Sequence, residues 1–304
     1  MTDTRTAGQA TKEAPYCIAY RPDPSPPSFR FPPGACDTHA HICGPENVFP
    51  YDPDRIYTPP DALLPAYEQV LGTLGVERMV LVQPSVYGDD NRVMLKAMRE
   101  AALPARGVAV VPMDIGQAEL EGLHEAGVRG ARFNLVDVKD PSAGLPLVEM
   151  TAFAERIKPM GWHVELLVHV DDYPEFGIMF RDFPTQIVVG HLGYFRPGCA
   201  LDHPGFQGLL DLAQRGRCWV KLSGPYRIAA DDLPFADVDS FAEALVTRAP
   251  HRLIWGTDWP HVMMKRTMPD DGRLTDVFAR WAPGEQLRRQ ILVDNPAQLY
   301  QFET

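Results

Sequence analysis

The chain has little of what nucleic-acid and membrane proteins need. Its 29 Lys and Arg are outnumbered by 40 Asp and Glu, for a formal net charge of −11. Polyanions and anionic lipid surfaces reward clustered cations, so this balance argues against either as the main partner. No stretch approaches ~18 uninterrupted apolar residues, so no membrane span is expected. Met1 to Lys12 is polar, without a basic cap and apolar run, so neither a secretory signal nor a transit peptide is read there. Cysteine is scarce: Cys17, Cys36, Cys43, Cys199 and Cys218 are odd in number, scattered, and include no Cys-x-x-Cys pair. That excludes an obvious zinc ribbon or disulfide framework and suits reduced thiols in a cytoplasmic enzyme. Cys36 and Cys43 flank a histidine pair but read as buried or loop thiols, not ligands. There is no internal repeat of ~20–50 residues and no low-complexity tract.

What is present suits one catalytic domain acting on a small molecule. At 304 residues and 45% hydrophobic content, the chain can supply a barrel of about 250 residues with insertions. Proline is concentrated in residues 1–33, at Pro15, Pro22, Pro24, Pro26, Pro27, Pro32 and Pro33. So many fixed φ angles and missing donors exclude regular structure. This segment is read as an arm lying on the surface or against a neighbouring subunit of a homo-oligomer.

From Ala35 onward, short β-branched or apolar runs alternate with segments of helical period. Strands are expected at Ala35–His41, Arg78–Gln83, Arg106–Val111, Gly130–Phe133, His163–His169, Gln186–Val189, Cys218–Leu222 and Leu253–Trp255. Helices are expected between them at Asp61–Leu74, Asn91–Ala102, Gln117–Ala126, Pro146–Lys158, Tyr173–Asp182, Gly205–Gln214 and Ser240–Ala249. Eight strands with intervening helices predict an α/β fold, a (β/α)8 barrel over residues 34–304. A doubly wound open sheet is the alternative, because periodicity does not report closure. The Pro-rich stretches 44–60 and 260–272 would be long βα loops on the C-terminal face, where this fold builds its sites.

The first strand ends in Asp37-Thr38-His39-Ala40-His41, and alternation puts His39 and His41 on one face. Two such imidazoles can bind a metal through neutral nitrogens or polarise a carbonyl by donating hydrogen bonds. Two other strand ends add to them. Ile187-Val188-Val189-Gly190 delivers His191, and Leu253-Ile254-Trp255-Gly256-Thr257 delivers Asp258. A carboxylate placed directly after a buried strand must be paired or do chemistry, since an isolated buried charge is expensive.

Asp37-x-His39-x-His41, Gly130-Ala131-Arg132-Phe133-Asn134, His191-Leu192-Gly193, Trp255-Gly256-Thr257-Asp258-Trp259-Pro260-His261 and the closing Asp294-Asn295-Pro296-Ala297 together resemble the amidohydrolase superfamily. Within it the chain is most similar to the branch of 2-pyrone-4,6-dicarboxylate lactonase, galactarolactone isomerase and sulfomuconolactone hydrolase. The likeness runs from about Gly34 to Tyr300. It implies a lactonase acting on a small anionic lactone, with Asp258 as general base. His39, His41 and His191 would polarise the carbonyl or hold a metal that does so. Arg132 and Asn134 stand where the superfamily places a metal-bridging Lys or Glu, so a two-metal site is not expected. The resemblance leaves two alternatives. One is a single divalent metal, zinc, on His39, His41, His169 and Asp258; the other is a metal-free site.

Arg132 and Arg227 match positions that bind substrate carboxylates, a role suited to bidentate guanidinium. Ser85 matches a pocket hydroxyl, and Asn134, Tyr194 and Tyr226 are further candidate substrate contacts. The pattern departs from its relatives at Val138, Leu167 and Tyr194, where an arginine, a tyrosine and an arginine would stand. Fewer anionic clamps point to a lactone other than the pyrone dicarboxylate, such as a muconolactone, sulfomuconolactone or sugar-acid lactone. Competing readings are a zinc-dependent decarboxylase of an aromatic or muconate acid, a lactone isomerase, and a non-catalytic scaffold. Arg196 reads as a surface ion pair and His163 as structural, whereas His261 is left open.

Overall fold

A computed structural model describes residues 14–137 and 144–303. Eight parallel strands are hydrogen-bonded in sequence order: β1 Cys36–Ala40, β2 Arg78–Val82, β3 Ala105–Ala109, β4 Val128–Asn134, β5 His163–Leu167, β6 Ile187–Val189, β7 Cys218–Leu222 and β8 Leu253–Trp255. The sheet closes between its two edges at the C-terminal ends. Asp258 N donates to His39 O and His41 N donates to Trp259 O, both across 2.8 Å. Thr38 Oγ1 donates to Trp255 O across 2.8 Å. The architecture is therefore the closed (β/α)8 barrel, not the open sheet.

The helices between strands are α1 Leu64–Leu74, α2 Arg92–Glu100, α3 Gln117–Glu125, α4 Leu147–Ile157, α5 Phe176–Met179, α6 Pro204–Gln214 and α7 Asp239–Arg248. After β8 come α8 Asp271–Trp281, α9 Glu285–Arg289, a π-helical turn Gln290–Asp294 and α10 Asn295–Tyr300. Several helices are shorter than their periodicity predicts, α1 and α5 for visible local reasons. α1 starts late because Ala62 is tied to Cys43 in an antiparallel bridge and Pro65 sits in the first turn. α5 keeps one turn of the predicted Tyr173–Asp182, between Pro174 and Pro184. None of the expected helices covers α8, which begins where the Asp270 side chain accepts from Arg273 N.

Two cores arise from strand alternation. Outward residues such as Met79, Val164 and Val220 pack against the helices, while Cys36, Val80, Val82, Val108, Val188, Trp219 and Ile254 fill the barrel with residues 297–302 of the C-terminal segment. Arg106 at the start of β3 reaches Tyr300 O, and His163 at the start of β5 meets the Tyr300 ring at 5.3 Å. That plug seals the N-terminal face, so only the C-terminal face is left for a site. His163 is structural, as its position on β5 predicts.

Residues 14–33 contain no helix or strand. They lie against the loops after β1 and β8: Cys17 N donates to Thr58 O, and Ser25 Oγ donates to Asp270 across 2.7 Å. All five cysteines are free. Among the described residues, no helix is long and apolar enough to cross a membrane.

Candidate active site

The ends of β1 and β8 are joined through one carboxylate to which the sequence pattern assigned no role. Asp37 Oδ1 accepts from His39 N and Thr257 N, each across 3.0 Å. Oδ2 accepts from Thr257 Oγ1 at 2.5 Å and the Tyr67 hydroxyl at 2.9 Å. The register of β1 against β2 shifts between Asp37 and Ala40. Asp37 thus reaches the α1 layer while His39 turns into the barrel. Burial pushes the Asp37 pKa up to about 6, even though hydrogen bonds from Thr257, His39 and Tyr67 oppose the rise. Gly256 must be glycine here, because a Cβ would lie 2.7 Å from both N and Cβ of His39.

The predicted cluster assembles around His39. Its ring centroid is 5.0 Å from that of His41 and 5.1 Å from that of His191. Its Nε2 is 3.6 Å from Asp258 Oδ1. His41 Nδ1 lies 2.7 Å from Val82 O. A carbonyl only accepts, so Nδ1 carries the proton and Nε2 offers a lone pair to the pocket. Burial, then Arg132, lowers the His41 pKa to about 3, and burial lowers that of His191 to about 4. Both rings are therefore neutral at neutral pH. His191 Nδ1 meets Ser223 Oγ at 3.0 Å.

Asp258 is held from one side. Its Oδ2 accepts from Arg227 Nε at 2.5 Å and the Tyr226 hydroxyl at 2.6 Å, whereas Oδ1 is buried with no hydrogen-bond partner. Burial alone would raise the Asp258 pKa, but Arg227, with smaller contributions from His191 and His39, holds it well below the ordinary carboxylate range. His191 and Asp258 have φ of 50° and 65°. Such left-handed backbone costs about 1–3 kcal/mol outside glycine and persists where surrounding structure imposes it, as at a site.

Of the candidate substrate contacts, Arg132, Arg227, Ser85 and Tyr194 line a small cavity with His41, His191 and Asp258. Arg132 is buried, donates from Nη1 to Gln83 O at 2.7 Å, and leaves Nε without a partner. Ser85 Oγ lies 3.4 Å from the Tyr57 hydroxyl. Two candidates stand elsewhere. Asn134 turns into its own loop, accepting from Val136 N and Asp137 N and donating to Asp137 Oδ2 at 3.0 Å. Tyr226 lies behind Asp258, its hydroxyl also 2.8 Å from His261 Nδ1. Val138 falls outside the described residues. Arg196 pairs with Asp171 and Asp172 at the surface, as read from sequence. The cavity, about 20 Å³, has room for about one water, so rim side chains must move to admit a lactone. A larger cavity of about 480 Å³, lined by Arg21, Tyr226, Asp232, Met268 and Arg273, carries none of the histidine cluster.

A single divalent ion fits the donor set. Ligand atoms of His39, His41 and Asp258 lie within 4.8 Å of one another, and the buried His39 Nε2 and Asp258 Oδ1 are both without hydrogen-bond partners. Two imidazoles and a carboxylate are zinc-type donors. His169 is not brought into this group. It stands beyond the end of β5 on a short turn, its Nδ1 donating to Tyr194 O at 2.5 Å and its ring 4.8 Å from that of Tyr194. Strand parity places a residue on a face, but β5 ends at Leu167, two residues before His169.

Beneath the cluster lies a feature that sequence reasoning missed. Lys221 and Glu165, both buried, form an ion pair of 2.7 Å inside the barrel. The available signal was a charged residue at an inward position in each of two largely apolar strands, Cys218–Leu222 and His163–Leu167.

The amidohydrolase family model matches residues 36–302. The chain is 39% identical to 2-pyrone-4,6-dicarboxylate hydrolase of Comamonas testosteroni, covering 95% of this chain and 97% of that protein. It is 37% identical to 4-sulfomuconolactone hydrolase of Rhizobium radiobacter, covering 94% and 96%. A crystal structure of an Agrobacterium tumefaciens protein superposes with a TM-score of 0.82 at 30% identity, covering 91% of this chain and 99% of that one. With the barrel, its histidine pair and the aspartate after the last strand in place, the chain belongs to the amidohydrolase family.

Proposed function

We propose that the chain is a lactonase that opens a small anionic lactone by attack of water, with Asp258 as general base. The observation carrying this reading is the asymmetry of Asp258. Oδ2 is occupied by Arg227 and Tyr226, while Oδ1, buried and without a partner, faces the histidines. A base needs a free oxygen within reach of the water and an orientation fixed from behind. Both conditions hold here. The relatives' hydrolysis of a pyrone dicarboxylate and a sulfomuconolactone supports the substrate class.

A water at Oδ1 would also donate to the Nε2 lone pair of His41. As its oxygen bonds to the lactone carbonyl carbon, its proton passes to Asp258 Oδ1. His39, and His191 braced by Ser223, face the carbonyl oxygen and stabilise the tetrahedral oxyanion. Collapse breaks the bond from the acyl carbon to the ring oxygen, and Asp258 returns the proton to that oxygen. The product is a hydroxy acid (or its keto tautomer), ionised at neutral pH. Arg132, buried with an unpartnered Nε, holds the substrate's separate anionic group. A divalent ion such as zinc, held by His39, His41 and Asp258, would add Lewis-acid polarisation of the carbonyl.

Acid release in a pH-stat with muconolactone-type and sulfomuconolactone-type substrates, run beside elemental analysis of the purified protein, tests the reading. One acid equivalent per lactone without CO2 is expected. Isomerisation without acid release, or CO2 evolution, would replace it. Stoichiometric zinc would assign the metal.

A further inference from the structure

Lys221 Nζ sits 2.7 Å from Glu165 Oε2, 2.8 Å from Thr38 O and 3.0 Å from His39 Nδ1, with its side chain fully buried. An ammonium has three N–H donors and no lone pair. Glu165 pairs with the charge and Thr38 O takes one donor; at His39 Nδ1 the ammonium again only donates, so Nδ1 must present its lone pair. With Nδ1 accepting, the ring is not an imidazolium and carries a single proton. That proton is left on Nε2. In His41 the Val82 carbonyl imposes the reverse arrangement.

We propose that the buried Lys221–Glu165 pair is a positioning device that fixes His39 as the Nε2–H tautomer, opposite to that of His41. The strand end then offers the pocket one ring N–H and one ring lone pair, 5.0 Å apart between ring centroids. His39 donates toward the carbonyl oxygen, and His41 accepts from the water. Neither Lys221 nor Glu165 touches the substrate. Zinc ligation through His39 Nε2 would require the ring proton to move to Nδ1. Its acceptor would be Glu165 Oε1, 3.5 Å away, and Lys221 would have to withdraw. The pair therefore biases His39 toward hydrogen-bond donation. The catalytic role assigned to the tautomer rests on the lactonase reading, but the tautomer itself does not.

Long-range ring 1H–15N correlation spectra of the full chain labelled at histidine, in chelator-treated buffer, read the tautomers without substrate. His39→Gln and His41→Gln variants assign the signals. His39 is expected protonated at Nε2 only, and His41 at Nδ1 only. A His39 ring protonated at Nδ1, or averaging between nitrogens, overturns the proposal whatever the enzyme hydrolyses. In the double variant Lys221→Met/Glu165→Gln, which removes both charges together, the Nε2–H preference of His39 should be lost while His41 is unchanged. On an accepted lactone, kcat should fall about 10²-fold with KM little altered. An unchanged His39 tautomer there overturns the role of the pair. If the double variant does not fold, Lys221→Met alone is read by the same spectra, with the same expected and contradicting results.

Discussion

Arg227 Nε lies 2.5 Å from Asp258 Oδ2, so the proposed base is partly neutralised before any substrate arrives. The pairing keeps Asp258 ionised across the working pH range but weakens it as a proton acceptor. A substrate anion competing for Arg227 would restore base strength when it is needed. Arg227 thus adds a contact with the proposed base to the substrate-clamp role suggested by the sequence.

Replacing Arg227 by Gln removes the main influence lowering the Asp258 pKa. Burial then pushes that pKa up. A carboxylate base is active only when ionised, so the acid limb of log kcat against pH should move to higher pH. A limb left unmoved would show that Asp258 does not titrate in the catalytic step.

Gly224 has φ of 55°, and a Cβ there would lie 2.8 Å from His191 Nδ1 and 3.1 Å from Asp258 Oδ2. Gly224→Ala should cost about 1–2 kcal/mol from left-handed backbone alone. It should also displace both side chains, lowering kcat by up to about 10²-fold. Thermal unfolding and steady-state kinetics on one preparation measure the two effects.

Asp37 accepts four donors, two of them backbone N–H groups of His39 and Thr257 that cannot rotate away. Asp37→Asn turns a donor toward one pair and should destabilise the fold by about 1–3 kcal/mol in denaturant unfolding. Because the folded pKa is raised to about 6, above an unfolded value of about 3.9, this group's contribution to stability falls as pH rises between those values. The variant should lack that part of the pH dependence.

Arg132→Met should raise KM for an anionic lactone by about tenfold or more, since hydrogen bonds to charged groups contribute about 1.5–3 kcal/mol. Turnover of an uncharged lactone should change much less. Equal losses on both substrates would assign Arg132 to packing instead.

Much of the barrel and its site was legible from local pattern. Buried strands of a barrel read as short apolar runs, and the polar side chains at or just after the C-terminal ends of β1, β6 and β8 gather because that face is the open one. His39, His41, His191 and Asp258 were found that way. Pairings that cross the barrel were not. That Arg227 reaches Asp258, that Asp37 ties β1 to Thr257, and that Lys221 meets both Glu165 and His39 depend on strand order and closure, which periodicity does not encode. Asn134 and His169 show the reverse. Each sits near a strand's C-terminal end, yet backbone groups of nearby loops occupy their polar atoms.

In the proposed mechanism Asp258 Oδ1 removes the proton from the attacking water. The most direct test of that step is kcat/KM of Asp258→Asn on a lactone the wild type hydrolyses, with thermal unfolding confirming the fold. General-base catalysis is worth about 10²–10⁴-fold. A loss of that size with the lactone still bound is expected, and turnover close to wild type would contradict the mechanism.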